Sequence, residues 1–117
     1  MQIPRTWFLD FDGTLVFQKS HVSDEDTILP GTKEFFEKVV RNDDCVVITT
    51  ARKKEDHEER IIKFVKHHNI KCDKIICDLP SGKRILINDK KPDGMLTAHS
   101  HNLERDKGIN IEDFINI

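Results

Sequence analysis

The chain has 117 residues, with 19 Lys plus Arg against 21 Asp plus Glu and a net charge of −2. That length holds one domain over 1–117, which buries about two-thirds of its unfolded surface without needing staples. The charge balance speaks against a strong electrostatic grip on nucleic acid or an anionic membrane, and the composition is not that of a disordered chain.

Ile3 to Asp10 reads as a short strand with Trp7, Phe8 and Leu9 at its apolar end. Asp10-Phe11-Asp12-Gly13-Thr14 breaks it, because Gly13 permits a turn that other residues resist. Residues 17–29 are polar and irregular, with a charge cluster over 23–26. A helix starts near Pro30, whose ring suits a first turn, and Phe35, Phe36, Val39 and Val40 give it an apolar stripe. Asn42-Asp43-Asp44 stops it. Cys45 to Thr49 is a continuous apolar run of the kind buried on both faces of a sheet.

Lys54 to His68 is helical again, with Ile61, Ile62, Phe64 and Val65 inward. Lys74 to Cys77 reads as a third strand and Arg84 to Asn88 as a fourth, after a turn over Leu79-Pro80-Ser81-Gly82. Met95 to Ala98 is a candidate fifth strand, and the tail from Asn110 to Ile117 suits strand or helix. The alternation predicts an α/β fold with a mainly parallel sheet covered by helices on both faces.

In such a sheet the ligand site lies beyond the carboxyl ends of the strands. Three predicted strands end there in polar groups: Asp10 and Asp12, Thr49 and Thr50, Asn88 and Asp89. Carboxylates converging on one edge repel each other, and a bound Mg²⁺ removes that penalty. On this reading Asp10 serves as both metal ligand and nucleophile. Asp12 lies near enough to protonate a leaving oxygen, the Thr50 hydroxyl donates to a phosphoryl oxygen, and Asp89 completes the cation's shell. The arrangement suits in-line phosphoryl transfer, which asks mainly for alignment and charge stabilisation.

Phe8-Leu9-Asp10-Phe11-Asp12-Gly13-Thr14-Leu15 resembles the first motif of the haloacid dehalogenase (HAD) superfamily, an apolar strand followed by D-x-D-G-T. Val46-Val47-Ile48-Thr49-Thr50-Ala51-Arg52 is similar to the second motif, and Ile85-Leu86-Ile87-Asn88-Asp89 with Asp93 resembles the fourth. The resemblance spans residues 3–93. It implies a Rossmann-like fold, a phosphoaspartyl intermediate on Asp10 and acid–base work by Asp12. Phosphate would be bound by Thr50, and Mg²⁺ held by the Asp10 carboxylate, the Asp12 main-chain carbonyl and Asp89. Asp93 would hold a metal-bound water or orient its neighbours.

The family's third motif supplies a lysine near the nucleophile. Lys83 is a poor fit if residues 84–88 form a strand running toward the site, because six residues at about 3.3 Å each leave it roughly 20 Å away. Lys90, Lys91 and Arg52 remain as candidates. Too few residues separate Thr14 from Pro30, or Cys77 from the fourth strand, to hold a cap domain. A capless relative acts on large substrates or borrows a neighbouring subunit as a lid, so a homo-oligomer completing the open site is expected for a small substrate. A loose likeness of 79–106 to small proteins encoded with bacterial surface-polysaccharide genes points to a sugar phosphate.

The leading expectation is thus a cytoplasmic Mg²⁺-dependent phosphatase. The alternatives are a 3′-phosphatase of nucleic-acid ends, a phospho-ligand-binding fold without turnover, and a receiver-like signalling domain, which the D-x-D-G-T run fits poorly. No apolar run reaches the roughly 18 residues of a membrane span, and no signal peptide is expected. Cys45, Cys72 and Cys77 lack the spacing of a disulfide framework or zinc ribbon, and His67-His68 and His99/His101 are expected to be solvated.

Overall fold

A computed structural model of the chain describes residues 2–19, 23 and 25–117. Its elements run β1 (Thr6–Asp10), α1 (Thr32–Lys38), β2 (Cys45–Thr49), α2 (Lys54–His67), β3 (Lys74–Ile76) and a closing 3₁₀ turn at Ile111–Asp113. The strands form a parallel sheet in the order β1-β2-β3, with Phe8 beside Val47 and Ile48 beside Ile75. This is the predicted α/β architecture, a parallel sheet flanked by helices. Positions 20–22 and 24, within the segment read as irregular and charged, lie outside the described residues.

The apolar periodicities place the elements closely. β2 spans the predicted residues, and its Val46, Val47 and Ile48 are buried. α2 buries Ile61, Phe64 and Val65. α1 is shorter than its stripe: the Val39 amide still makes the ordinary i→i−4 bond to the Phe35 carbonyl, but the Val40 amide returns to the same carbonyl, and that wider i→i−5 turn ends the helix. The tail resolves into the 3₁₀ turn, N-capped by the Asn110 side chain, with Phe114 buried behind it.

One expectation about layering is corrected. Strands taken in sequential order with right-handed crossovers carry their helices on one side, and both helices here pack on the face that presents Trp7, Leu9, Val46, Ile48 and Ile75. Phe35 meets the Trp7 ring edge-on at 5.1 Å, and Phe64 meets Phe11 at 5.3 Å. On the opposite face Phe8 is 59% and Ile76 40% exposed.

A second expectation fails outright. Residues 84–88 are not a strand, although the run Ile85-Leu86-Ile87 reads like β2. Apolar pattern specifies a strand only where a sheet edge is in reach to complete its ladder. The chain instead leaves the carboxyl end of the sheet at Leu79, whose amide bonds the Thr50 carbonyl. It turns at Lys91–Met95 and returns to the domain near Asp106, whose amide bonds the Gly13 carbonyl. Residues 80–102 thus form a projecting arm, and the candidate strand at 95–98 lies in it without strand structure.

The return segment docks through two glycines. Gly31 (φ 84°) and Gly108 (φ 87°) both lie in the left-handed region, and the Ile109 amide donates to the Pro30 carbonyl at 3.0 Å. A Cβ on Gly31 would strike the Ile109 carbonyl, and one on Gly108 the Pro30 carbonyl. Gly108→Ala is therefore expected to destabilise the chain by at least about 2 kcal/mol, read as a lowered urea midpoint at unchanged slope.

Asp44, predicted only to stop α1, is a buried hub. Its side chain is fully enclosed and accepts from the Arg5 guanidinium (2.7 Å), the Arg5 amide (2.9 Å), the Trp7 indole N–H (2.9 Å) and the Arg41 amide (3.0 Å). Burial alone would raise its pKa. These hydrogen bonds, led by the Arg5 guanidinium, outweigh that and hold it far below the usual carboxylate range. The hub ties the start of β1 to the turn before β2.

Candidate functional site

The site begins with an alternation that runs one residue beyond β1. Phe11 turns into the core and is fully buried, which leaves Asp10 and Asp12 on the other side. The Phe11 amide donates to the Thr49 carbonyl, so the turn is hung on β2. Gly13 (φ 81°) then lets the chain double back, its amide donating to the Val16 carbonyl at 2.7 Å. The side chain of Arg105 lies across this turn, with its Cγ 3.0 Å from where a Cβ on Gly13 would stand.

Asp10 and Asp12 line one shallow pocket, together with Thr14, Ser81, Arg84 and Arg105. Asp10 accepts a hydrogen bond from the Thr14 hydroxyl at 3.3 Å. Desolvation by its neighbours, and then the Asp12 carboxylate, push the Asp10 pKa up. Thr14, Arg84 and the Phe11 amide draw it back only in part. Burial and the neighbouring carboxylate both disfavour a bare charge on Asp10, and a cation beside it would offset them.

Asp12 is held far more tightly. The Arg52 guanidinium turns its Nε and Nη2 edge to the carboxylate, with Nη2 at 2.7 Å from Oδ1 and Nε at 3.0 Å. The Thr50 hydroxyl donates to Oδ2 at 3.0 Å and accepts from the Arg52 amide at 3.0 Å. Arg52 is itself buried and also donates to Asp26 at 2.7 Å, and Arg60 donates to Asp26 at 2.9 Å. Burial acts to raise the Asp26 pKa, but the Arg52 and Arg60 hydrogen bonds reverse it and leave Asp26 below the usual carboxylate range. Arg52→Gln strips buried Asp26 and Asp12 of their shared cation. An expected loss of about 3 kcal/mol should appear in urea unfolding.

The predicted site residues thus divide. Asp10, Asp12 and Thr50 come together at the carboxyl ends of β1 and β2. Thr50 is fully buried with its hydroxyl on Asp12. Asp89 and Asp93 lie on the exposed arm; the Asp89 carbonyl accepts from the Thr97 hydroxyl, and the Asp93 carboxylate accepts from the Met95 amide at 2.9 Å. Neither lines the pocket, and among the described residues no three His, Cys, Asp or Glu side chains gather as a metal cluster.

No strand over residues 84–88 approaches the site from afar; the segment starts at the site. Ser81 and Arg84 line the pocket, while Lys83, Lys90 and Lys91 do not. Arg52, the fourth candidate, is committed to Asp12 and Asp26. Two further cations line the pocket with the carboxylates: Arg84, which also donates to the Pro80 and Gly82 carbonyls, and Arg105. Each lies more than 70 positions from Asp10, and no local motif marks them.

Fold and site together define a small Rossmann-like parallel α/β domain, with paired carboxylates at the carboxyl end of its first strand and no closed cap among the described residues. Comparison of the chain with protein-family models, curated proteins and solved structures finds no match. No helix among the described residues is long and apolar enough to cross a membrane.

Proposed function

We propose that this chain is a phosphomonoester hydrolase of the capless haloacid dehalogenase type, dependent on Mg²⁺ and working through a phosphoaspartyl intermediate on Asp10. The observation that carries the reading is the pairing of solvent-open Asp10 with Asp12 in one pocket that Arg84 and Arg105 also line. A nucleophilic carboxylate and an anionic phosphoryl group repel each other, and cations facing the carboxylate lower that barrier. The D-x-D-G-T run supplies the prior for phosphoryl chemistry.

Asp10 Oδ attacks phosphorus, the bond from phosphorus to the leaving oxygen breaks, and Asp12 gives that oxygen a proton. Water then attacks the acyl phosphate, Asp12 takes its proton, and inorganic phosphate leaves with Asp10 restored. Asp12 can act only if its contacts with Thr50 and Arg52 open. The Thr50 hydroxyl released in that step is then free to donate to a phosphoryl oxygen. Arg84 and Arg105 take the charge-neutralising role.

Mg²⁺ keeps several waters and needs only one or two protein oxygens beside the substrate phosphate. The Asp10 carboxylate and the Asp12 main-chain carbonyl would meet that modest demand, and the burial and neighbouring charge that act against a bare Asp10 carboxylate favour a cation there. The ion would neutralise the phosphate and align it. Asp89 would join this set only through movement of the arm.

The open pocket fits a phosphorylated small molecule such as a sugar phosphate, and equally leaves room for a nucleic-acid 3′ end. A second reading, a phospho-ligand-binding protein without turnover, is favoured by one observation: both Asp12 oxygens are already occupied. Phosphate release from sugar phosphates, nucleotides and 3′-phosphorylated oligonucleotides, with Mg²⁺ and with EDTA, separates the readings. Release that requires Mg²⁺ supports the phosphatase and ranks substrates. Phosphorylated ligands that bind with no release support the second reading.

A further inference from the structure

Arg52 is the buried cation that grips Asp12, and it has two anionic partners rather than one. Its Nε–Nη2 edge meets Asp12 and its Nη1–Nη2 edge meets Asp26, with Nη2 shared at 2.7 Å from Oδ1 of each. The Arg52 side chain is 5% exposed and that of Asp26 1%. Asp26 is fixed from two further sides. The Phe17 amide donates to the Thr27 carbonyl and the Leu29 amide to the Leu15 carbonyl, which ties the loop carrying Asp26 to the chain just past Gly13. From α2, Arg60 holds the same carboxylate with two donors, Nε at 2.9 Å from Oδ2 and Nη2 at 3.2 Å from Oδ1.

For Asp12 to reach a leaving oxygen or a water, its contact with Arg52 must open. With no other anion in place, that opening would strand a guanidinium inside the protein, and an uncompensated buried charge is strongly unfavourable. Asp26 removes the penalty. The planar guanidinium keeps a carboxylate on its second edge when the first is vacated, so it stays paired and stays where it is. Asp26 does not line the pocket, so its effect passes through Arg52.

We propose that Asp26 is a positioning residue for the reaction: it holds Arg52 in place and paired while Asp12 leaves that guanidinium to give or take a proton. The proposal rests on the phosphatase reading and adds to it the group that makes the withdrawal of Asp12 possible. No bond forms or breaks at Asp26. The proton passes from Asp12 to the leaving oxygen, and returns to Asp12 from the attacking water.

Phosphate release by Asp26→Asn and Asp26→Glu tests it. The probe is whichever sugar phosphate, nucleotide or 3′-phosphorylated oligonucleotide the parent chain turns over fastest, at a temperature where far-ultraviolet circular dichroism shows each variant folded. Asn keeps the shape of Asp26 and loses its charge, whereas Glu keeps the charge and adds a methylene in an enclosed place. The expected result is a kcat at least about tenfold lower in Asp26→Asn, with KM within about threefold of the parent's and Asp26→Glu the milder change. A packing role gives the reverse order. Asp26→Asn milder than Asp26→Glu overturns the proposal, as does Asp26→Asn at the parent's kcat.

A second measurement needs no variant. The parent chain crystallised with Mg²⁺ and orthovanadate, a mimic of a phosphoryl group in transit, should show Asp12 off Arg52 and directed at a vanadate oxygen, with Arg52 still paired to Asp26. Arg52 parted from Asp26 in that complex overturns the proposal. If the parent releases phosphate from no member of the panel and holds no vanadate at Asp10, the phosphatase reading falls and this proposal with it. Release by the parent, with either contrary result above, overturns this proposal alone.

Discussion

Asp44→Ala is expected to cost about 3–5 kcal/mol, because it leaves Arg5 half-buried with its charge unpaired and orphans the Trp7 indole and two backbone amides. A domain of this size holds a total stability of only about 5–15 kcal/mol, so the variant should populate unfolded chains near physiological temperature. Chemical denaturation followed by Trp7 fluorescence reads the loss directly. Asp44→Asn, which keeps shape but not charge, should fall between. A loss under about 1 kcal/mol for Asp44→Ala would contradict the hub.

The same carboxylate gives stability a pH signature. Its pKa is lower in the fold than in the unfolded chain, so its contribution is fully present above the unfolded value of about 3.9 and is lost as pH falls toward the folded value. Asp26 and Asp73 shift the same way, Asp73 through its hydrogen bonds from the Lys71 ammonium and the Val46 amide. Stability should therefore fall with pH below about pH 4. The slope should be shallower in Asp44→Asn, and it should not vanish, because Asp26 and Asp73 still titrate.

Asp10→Asn should remove phosphate release by at least about 10³-fold while leaving stability close to that of the parent chain. The pairing of outcomes matters. Asp10 is exposed, and its side-chain hydrogen bond from Thr14 is long at 3.3 Å, so its chemistry separates from structure. Asp12→Asn should lose about 10²–10⁴-fold in rate and also stability, since it breaks the Arg52 pair. Equal stability losses in both variants would place Asp10 among structural groups instead.

Local pattern made much of the framework legible. The five-residue run at Cys45–Thr49 and the helical stripe from Ile61 to Val65 each state their period and burial within a few residues. The two acids were legible for the same reason: a strand ending in Asp-Phe-Asp must turn Phe inward and both Asp outward. What stayed hidden depends on distance. Ile85-Leu86-Ile87 has the composition of β2, and only the path of the chain after Leu79 decides that it meets no sheet edge. Arg52 stands in the sequence as the end of the Thr50-Ala51-Arg52 run and a candidate cation, yet its partners Asp12 and Asp26 lie 40 and 26 positions away. Asp44 looked like a helix stop because Arg5 and Trp7, which make it a hub, belong to another element.

The central claim is that a phosphoryl group is carried on Asp10, and the most direct measurement traps it there. The chain, turning over a substrate found by phosphate release, is quenched in hydroxylamine, which converts an acyl phosphate to a hydroxamate. Peptides are then mapped by mass spectrometry. The account predicts a hydroxamate on the peptide carrying Asp10, absent without substrate and absent in Asp10→Asn. Turnover that proceeds with Asp10 unmodified, or with the label on another residue, would contradict it.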